Sequence, residues 1–150
     1  MALRPDRNEV VTDISFFMDE TAERGIIVTA STQGSGAAMD DSAAAVKVAA
    51  ALNEKPVGLL LNDVVDLDLT RQHINFAKDE MQKGGKVTLL RIGTVVTDQI
   101  SGAITLGDPA HFMSDGTLAA ATANSESAVV GRWLSKKDAD GYAKVAINIV

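Results

Sequence analysis

The sequence contains no cysteine and few aromatic residues, and both shortages restrict what the protein can be. Without cysteine there is no disulfide scaffold, no thiolate zinc site and no cysteine nucleophile. Aromatic residues make up only 4% of the chain, so the core must be built from valine, isoleucine, leucine and alanine. With 150 residues and 46% hydrophobic content, the chain is long enough for one domain with a packed core.

Basic residues and long apolar runs are scarce as well. The chain has 14 lysines and arginines against 20 aspartates and glutamates, which gives a net charge of −6. This balance argues against a nucleic-acid partner, because phosphate binding needs a basic face. No apolar run approaches the roughly 20 residues of a membrane span, and the N-terminus lacks the apolar core of a signal peptide. We therefore expect no membrane partner and a protein that stays where it is made.

Short apolar segments separated by glycine-containing turns predict a mainly β protein. The clearest strand patterns lie at residues 56–61, 86–97 and 129–134. Residues 110–113 and 117–120 flank a Ser-Asp-Gly turn and predict a hairpin. Short strands at this spacing are typical of a small β-barrel or sandwich, which is the fold class we predict.

The last segment of the chain alternates between apolar and polar residues. Val145, Ile147 and Ile149 fall on one side of the predicted strand, and Lys144 and Asn148 fall on the other. Because successive side chains of a strand point to opposite faces, the three apolar residues are expected inside and the two polar residues outside.

Two segments and one side chain leave alternatives open. Residues 42–52 are compatible with helix or strand, with strand slightly favoured, and residues 70–82 fit either structure equally well. Trp133 is the only tryptophan. A core position is favoured for it over an interface position, although large aromatic residues serve in both places.

The N-terminal residues differ from the rest of the chain. The first twelve are polar and include Pro5, and the apolar trio that begins with Phe16 and Phe17 follows them. A polar segment without its own core predicts an extended arm. We therefore divide the chain into an arm at residues 1–19 and a β-rich domain at residues 20–150.

No motif in the sequence predicts catalysis. The Gly34–Gly36 segment fits neither a phosphate-binding loop nor a nucleophile elbow. His73 and His111 are the only histidines and have no evident partners for catalysis or zinc binding. The turn at Asp138 and Asp140 lacks the glutamate that closes a calcium loop. We predict no catalytic, cofactor-binding or metal-binding residues and no enzyme activity.

Two long stretches of the sequence resemble capsid decoration (cement) proteins of tailed bacteriophages, especially those of cyanobacterial and marine phages. The first stretch includes Pro56–Val65, Asp68–His73, Gln82–Leu90 and Gly93–Thr97. The second includes Gly107–Ala110, Val130–Arg132 and Ser135–Val145. The likeness lies in the whole string rather than in one motif, and it is weaker before residue 56.

The resemblance implies a structural protein that binds the outer surface of the expanded phage head and stabilises the shell without a cofactor. Its implied partner is the major capsid protein, and its implied state is a homotrimer at threefold or quasi-threefold positions. The implied location is the virion, after synthesis in the host cytoplasm. We expect the arm to contact the shell through Arg4, Arg7, Phe16 and Phe17. For the two phenylalanines, docking on the chain's own domain fits the sequence equally well.

A second hypothesis is a small β-rich module that binds carbohydrate or a host surface, such as a head fibre or adhesin. Sugar-binding sites usually present exposed aromatic side chains for stacking. The chain has only six aromatic residues, and most of them are expected to be buried. This expectation makes the second hypothesis the weaker one.

Overall fold

The structure is a computed structural model that describes residues 3–4, 6–31, 45–51, 53–63, 80–81, 83–120 and 127–149. Within these residues every regular element is a strand. The same residues contain no helix that is long and apolar enough to cross a membrane. The mainly β class predicted from the sequence is confirmed. The strands are β1 (Asn8–Met18), β2 (Ala22–Glu23), β3 (Ile27–Ala30), β4 (Ala45–Val48), β5 (Pro56–Asp63), β6 (Glu80–Met81), β7 (Lys86–Thr97), β8 (Ile100–Ser101), β9 (Pro109–Phe112), β10 (Leu118–Ala120), β11 (Gly131–Trp133) and β12 (Ala143–Asn148).

Five strands pair with one another in a closed circuit. β1 pairs in parallel with β4 and in an antiparallel manner with β7. β3 pairs antiparallel with both β4 and β5, and β5 pairs antiparallel with β7. The contact between β1 and β4 is short, covering only residues 17–18 of β1. In the described residues, therefore, most of β1 has a strand on one edge only.

β7 is the strand that joins this circuit to the rest of the sheet. One edge of β7 pairs with β1 over residues 86–94. The other edge pairs with β5 over residues 87–90 and with β12 over residues 92–97. From β12 the sheet continues through β11, β9, β10 and β8. A single strand of 12 residues therefore belongs to both parts of the molecule.

The buried apolar side chains form two clusters on opposite sides of β5. Leu59 and Leu61 belong to the larger cluster, which also contains Phe112 and Trp133. Leu60 belongs to the smaller cluster, which is closed by β1, β2 and β6. Because neighbouring residues of a strand point to opposite faces, the run of three leucines contributes to both clusters.

The N-terminal segment lies in the sheet, where the sequence predicted an extended arm. β1 begins at Asn8, and its last residue, Met18, is fully buried in the smaller cluster. Leu3 is 1% exposed and forms an isolated bridge to Thr97. The polar composition did not reveal this strand, because its side chains are mostly exposed. Backbone hydrogen bonds to β7, which do not depend on side-chain type, hold it in the sheet.

Most strand predictions within the described residues are confirmed. The segment at 42–52 contains strand β4, and the hairpin joins β9 to β10. Val145, Ile147 and Ile149 are buried, and Asn148 is exposed, as the alternation predicted. Lys144 is half-buried on the outward side. Several predicted features lie outside the described residues: most of 70–82, which includes His73, and the Gly34–Gly36 segment.

Candidate functional site

The predicted contact residue Arg4 is held by the C-terminal part of the chain. Its Nη1 lies 3.3 Å from Oδ2 of Asp138, and its Nη2 lies 3.2 Å from Oδ2 of Asp140. Its guanidinium carbon stands 4.1 Å from the centre of the Tyr142 ring. Two ion pairs and a cation–π contact fix one side chain at the surface, with 39% of it still exposed.

Asp138 organises the turn that receives Arg4. Its Oδ1 accepts hydrogen bonds from the backbone N–H groups of Asp140 and Tyr142, each at 2.9 Å. The N–H of Tyr142 is the largest cause that holds the pKa of Asp138 below its ordinary value; the N–H of Asp140 and the charge of Arg4 add to it. Turn chemistry therefore accounts for this Asp-Ala-Asp-Gly segment.

The other three predicted contact residues are also partly engaged within the chain. Arg7 Nε lies 2.7 Å from Oε1 of Glu9 in a local ion pair. Phe16 packs against the smaller cluster, and Phe17 is half-buried with Lys86 Nζ 5.8 Å from its ring centre. Arg4 and Arg7 thus lie near the start of the N-terminal segment, and the two phenylalanines lie near its end. The structure does not bring these four side chains together.

His111 and Trp133 are packing residues. His111 is 6% exposed, and its Nδ1 donates a hydrogen bond of 2.8 Å to the carbonyl oxygen of Ser127. Trp133 is fully buried, and its Nε1 lies 3.4 Å from the carbonyl oxygen of Ala119. The core position that the sequence favoured for Trp133 is confirmed.

The part of the chain that the structure describes offers little for a metal site or for a carbohydrate-binding site. Among the described residues there is no group of three or more histidine, aspartate or glutamate side chains that could hold a metal ion. Each described aromatic side chain is buried or half-buried, and Tyr142 is covered on one face by Arg4. The stacking platform that the adhesin hypothesis requires is therefore missing from the described residues.

The outer side of the sheet around β12 forms a regular surface, which we call the open face. Thr94 and Ala146 face each other across β7 and β12, and Asn8 and Arg132 extend this row onto β1 and β11. Paired residues of a sheet carry their side chains on the same face. The open face comprises the outward residues Asn8, Val11, Ile92, Thr94, Val96, Pro109, Val129, Arg132, Leu134, Lys144, Ala146 and Asn148.

The open face combines apolar side chains with positive charge. Val129 is 56% exposed, Val11 42% and Leu134 40%. Among the outward residues named above, Arg132 and Lys144 are charged, and neither forms an ion pair with another described residue. This face can therefore offer both apolar area and hydrogen-bond donors to a partner.

Open depressions mark two places on this face. One is lined by Val129, Arg132 and Asn148 together with the backbone of β11 and β12. The other is lined by Val11 on β1, by Arg91 and Ile92 on β7, and by Ile149. Arg91 Nη1 lies 4.0 Å from Oδ2 of Asp13 there. Each depression offers a concave contact for a protruding side chain of a partner.

Sequence reasoning did not select the residues of the open face. Val129 stands beside Val130 in the segment that leads into β11, and Val130 is the one that is buried in the core. Likewise Val10, Val11 and Ile14 are apolar residues within a polar segment, and Val10 and Ile14 are 63% and 52% exposed. The available signal for this surface was the presence of apolar residues that are not needed in the core. Alternation alone, however, does not tell which of two neighbouring apolar residues is buried.

Comparison with known proteins gives one result for nearly the whole chain. A family model described as the phage structural cement protein (E217 gp24/Pam3 gp6) matches residues 9–148. The match runs from the start of β1 to the end of β12 and therefore includes almost all of the open face. No curated protein matches the chain.

Proposed function

Because the chain belongs to the phage structural cement protein family, we propose that it binds the major capsid protein on the outside of the expanded head. Family membership makes it a structural virion protein that binds and stabilises the capsid shell. The match over residues 9–148 is the observation that carries this conclusion. The proposal also includes the absence of enzyme activity and residence in the host cytoplasm before assembly.

The physical basis of the role is contact area shared among shell subunits. A small domain that touches several subunits adds favourable contacts without changing the fold of any one of them. Such binding gains affinity from multivalency, because the second contact forms at high effective concentration once the first has formed.

The proposed oligomer is a homotrimer at threefold or quasi-threefold positions. Residues 8–16 of β1 carry an outer edge to which no described strand is paired. Exposed strand edges are usually covered in assembled proteins, and a trimer would cover this edge with a neighbouring copy. Mass photometry in solution and the symmetry of a decorated-head map test this state; isolated copies without mutual contact would contradict it.

The N-terminal segment, residues 1–19, is proposed as a further contact with the shell. Arg4, Arg7, Phe16 and Phe17 are engaged within the chain but keep part of their surface exposed, which supports a shared role. Arg7→Glu tests this role with little risk to the fold, since its ion pair is local. Weaker binding to heads supports the proposal, and unchanged binding contradicts it for Arg7.

The central experiment uses expanded heads that lack this protein. Purified chain is mixed with these heads, which are then sedimented, and the melting of decorated and bare heads is compared. We expect saturable co-sedimentation and a higher melting temperature after decoration. Heads that bind the protein without gaining stability would contradict a cementing function, and an absence of binding would contradict the proposal as a whole.

A further inference from the structure

We propose that the open face is the surface that docks on the shell, and that it recognises a patch of apolar side chains flanked by carboxylates. This inference rests on the proposed function and adds which face makes the contact and what chemistry the contact has.

The open face carries apolar side chains that are not part of the core. Val129 and Leu134 flank Arg132 at the two ends of β11, and both are exposed by 40% or more. Val11 and Ile92 lie across the sheet from them, beside the depression on β1 and β7. Apolar residues that extend across a regular face provide contact area for a partner, whereas single scattered ones do not.

The charge of the open face differs from that of the whole chain. The chain carries −6, yet besides Arg91, which lines the depression on β1 and β7 and lies 4.0 Å from Asp13, this face carries the positive charges of Arg132 and Lys144. Neither has a carboxylate partner among the described residues. A partner that presents carboxylates to Arg132 and Lys144 would be electrostatically complementary to the open face.

A second copy of the chain fits the open face less well. In a symmetric pair of open faces, Arg132 and Lys144 of both copies would enter one interface, and Asp13, the carboxylate beside the depression on β1 and β7, already lies 4.0 Å from Arg91. Burying like charges opposite one another is unfavourable. The shell is therefore the occupant to which we commit, with acidic side chains at its contact points.

The face is also built largely on paired strands. Its rows span β1, β7, β12, β11 and β9, which are joined by backbone pairing throughout. A surface fixed by paired strands loses little conformational entropy on docking, so more of the contact energy remains as affinity.

The test compares two double charge reversals in the full-length chain. Arg132→Glu with Lys144→Glu changes the open face, and Lys136→Glu with Lys137→Glu makes the same change of net charge on the exposed loop after β11. Binding to bare expanded heads is measured by co-sedimentation at two salt concentrations, and folding is checked by far-ultraviolet circular dichroism. Val129→Ser, at an exposed position, reports on the apolar part without altering charge.

We expect the open-face reversal to weaken binding by about tenfold or more and to reduce its salt dependence, while the loop reversal changes binding by less than about threefold. Val129→Ser is expected to weaken binding measurably. Equal losses from both reversals, or normal binding by the open-face variant, would overturn the inference. Failure of the unmodified chain to bind heads would instead reject the proposed function.

Two further measurements keep the outcome unambiguous. If the double reversal unfolds the protein, Arg132→Ala replaces it, because the side chain of Arg132 is exposed. If the reversal dissociates an oligomer in sedimentation velocity without heads present, the open face joins copies of the chain and the inference is overturned.

Discussion

Arg4 lies over the ring of Tyr142, with its guanidinium carbon 4.1 Å from the ring centre. The same guanidinium reaches Asp138 and Asp140 in the turn just before β12. The start of the described chain is thereby attached to the strand that ends it. This attachment and the burial of Leu3 hold the residues before β1 against the domain.

Removal of the Arg4 side chain should release the residues before β1. Arg4→Ala loses both ion pairs and the contact with Tyr142, so the backbone N–H of Arg4, which donates to Val96, should exchange its hydrogen faster. Arg7→Ala is the matched control, because its partner Glu9 lies only two residues further along the chain. Hydrogen exchange measured by mass spectrometry checks the prediction; equal acceleration by both variants would contradict it.

Stability should fall in acid partly through Asp138 and Asp13. Hydrogen bonds from the N–H of Tyr142 and from the hydroxyl of Ser15, respectively, are the leading causes that lower the pKa of each carboxyl below its ordinary value of 3.8. A carboxyl with a lowered folded pKa stabilises the fold above that ordinary value and loses this contribution as the pH falls through the folded pKa.

Replacing these carboxyls should therefore flatten the acid limb of the stability profile. Asp138→Asn and Asp13→Asn are expected to change less in urea midpoint between about pH 5 and about pH 2 than the unmodified chain does. Asp115→Asn is a useful comparison, since Asp115 also accepts hydrogen bonds within an exposed turn. An unchanged profile in both variants would show that other carboxyls govern acid unfolding.

Two glycines with similar backbone angles should respond differently to alanine. Gly116 has φ of 83° and Gly107 has φ of 89°, so alanine would cost about 1–2 kcal/mol of backbone strain at either site. At Gly116 the new Cβ would also stand 2.9 Å from the carbonyl oxygen of Ile27, whereas at Gly107 nothing lies within 4 Å. Gly116→Ala should therefore lose about 1–3 kcal/mol more in urea unfolding; equal losses would place the hairpin turn away from β3.

The alternation of β12 can be measured with a pair of alanine variants. Ile147→Ala should lower the free energy of unfolding by about 2–4 kcal/mol, because the side chain is 2% exposed within the larger cluster. Lys144→Ala should cost well under about 1 kcal/mol, since its side chain lies on the outward side. Similar losses in the two variants would contradict the observed register.

Leu3 should contribute to stability although it precedes every strand. Leu3→Ala removes a side chain that is 1% exposed in the larger cluster and should cost about 2–4 kcal/mol. Val10→Ala, at a position that is 63% exposed, should change the free energy of unfolding by less than about 0.5 kcal/mol. If Leu3→Ala melts like the unmodified chain, the residues before β1 are dispensable for the fold.

The sequence predicted the strands whose patterns were strong and local. Val145, Ile147 and Ile149 were recognised because a period of two residues records burial on one face directly. The hairpin of β9 and β10 was recognised because its turn contains a glycine at the position that needs positive φ, Gly116.

The N-terminal segment and the open face depend on partners that are distant in the sequence. Nothing near Leu3 indicates that Thr97 will pair with it, and nothing near Arg4 indicates Asp138. The open face arises only when β1, β7, β12 and β11 lie side by side, so no single segment carries its pattern. Local composition describes each strand, whereas the surface is a property of their registers.

The shared position of β7 determines how a load travels through the molecule. A pull on β12 enters β7 at residues 92–97, and the same strand continues to residues 86–90 inside the closed circuit without an intervening loop. A force directed along two paired strands loads all the hydrogen bonds between them at the same time. A force that pulls the two strands apart at one end breaks these hydrogen bonds one after another. Because β7 is covalently continuous, a pull on the open face is transmitted directly to both parts of the sheet.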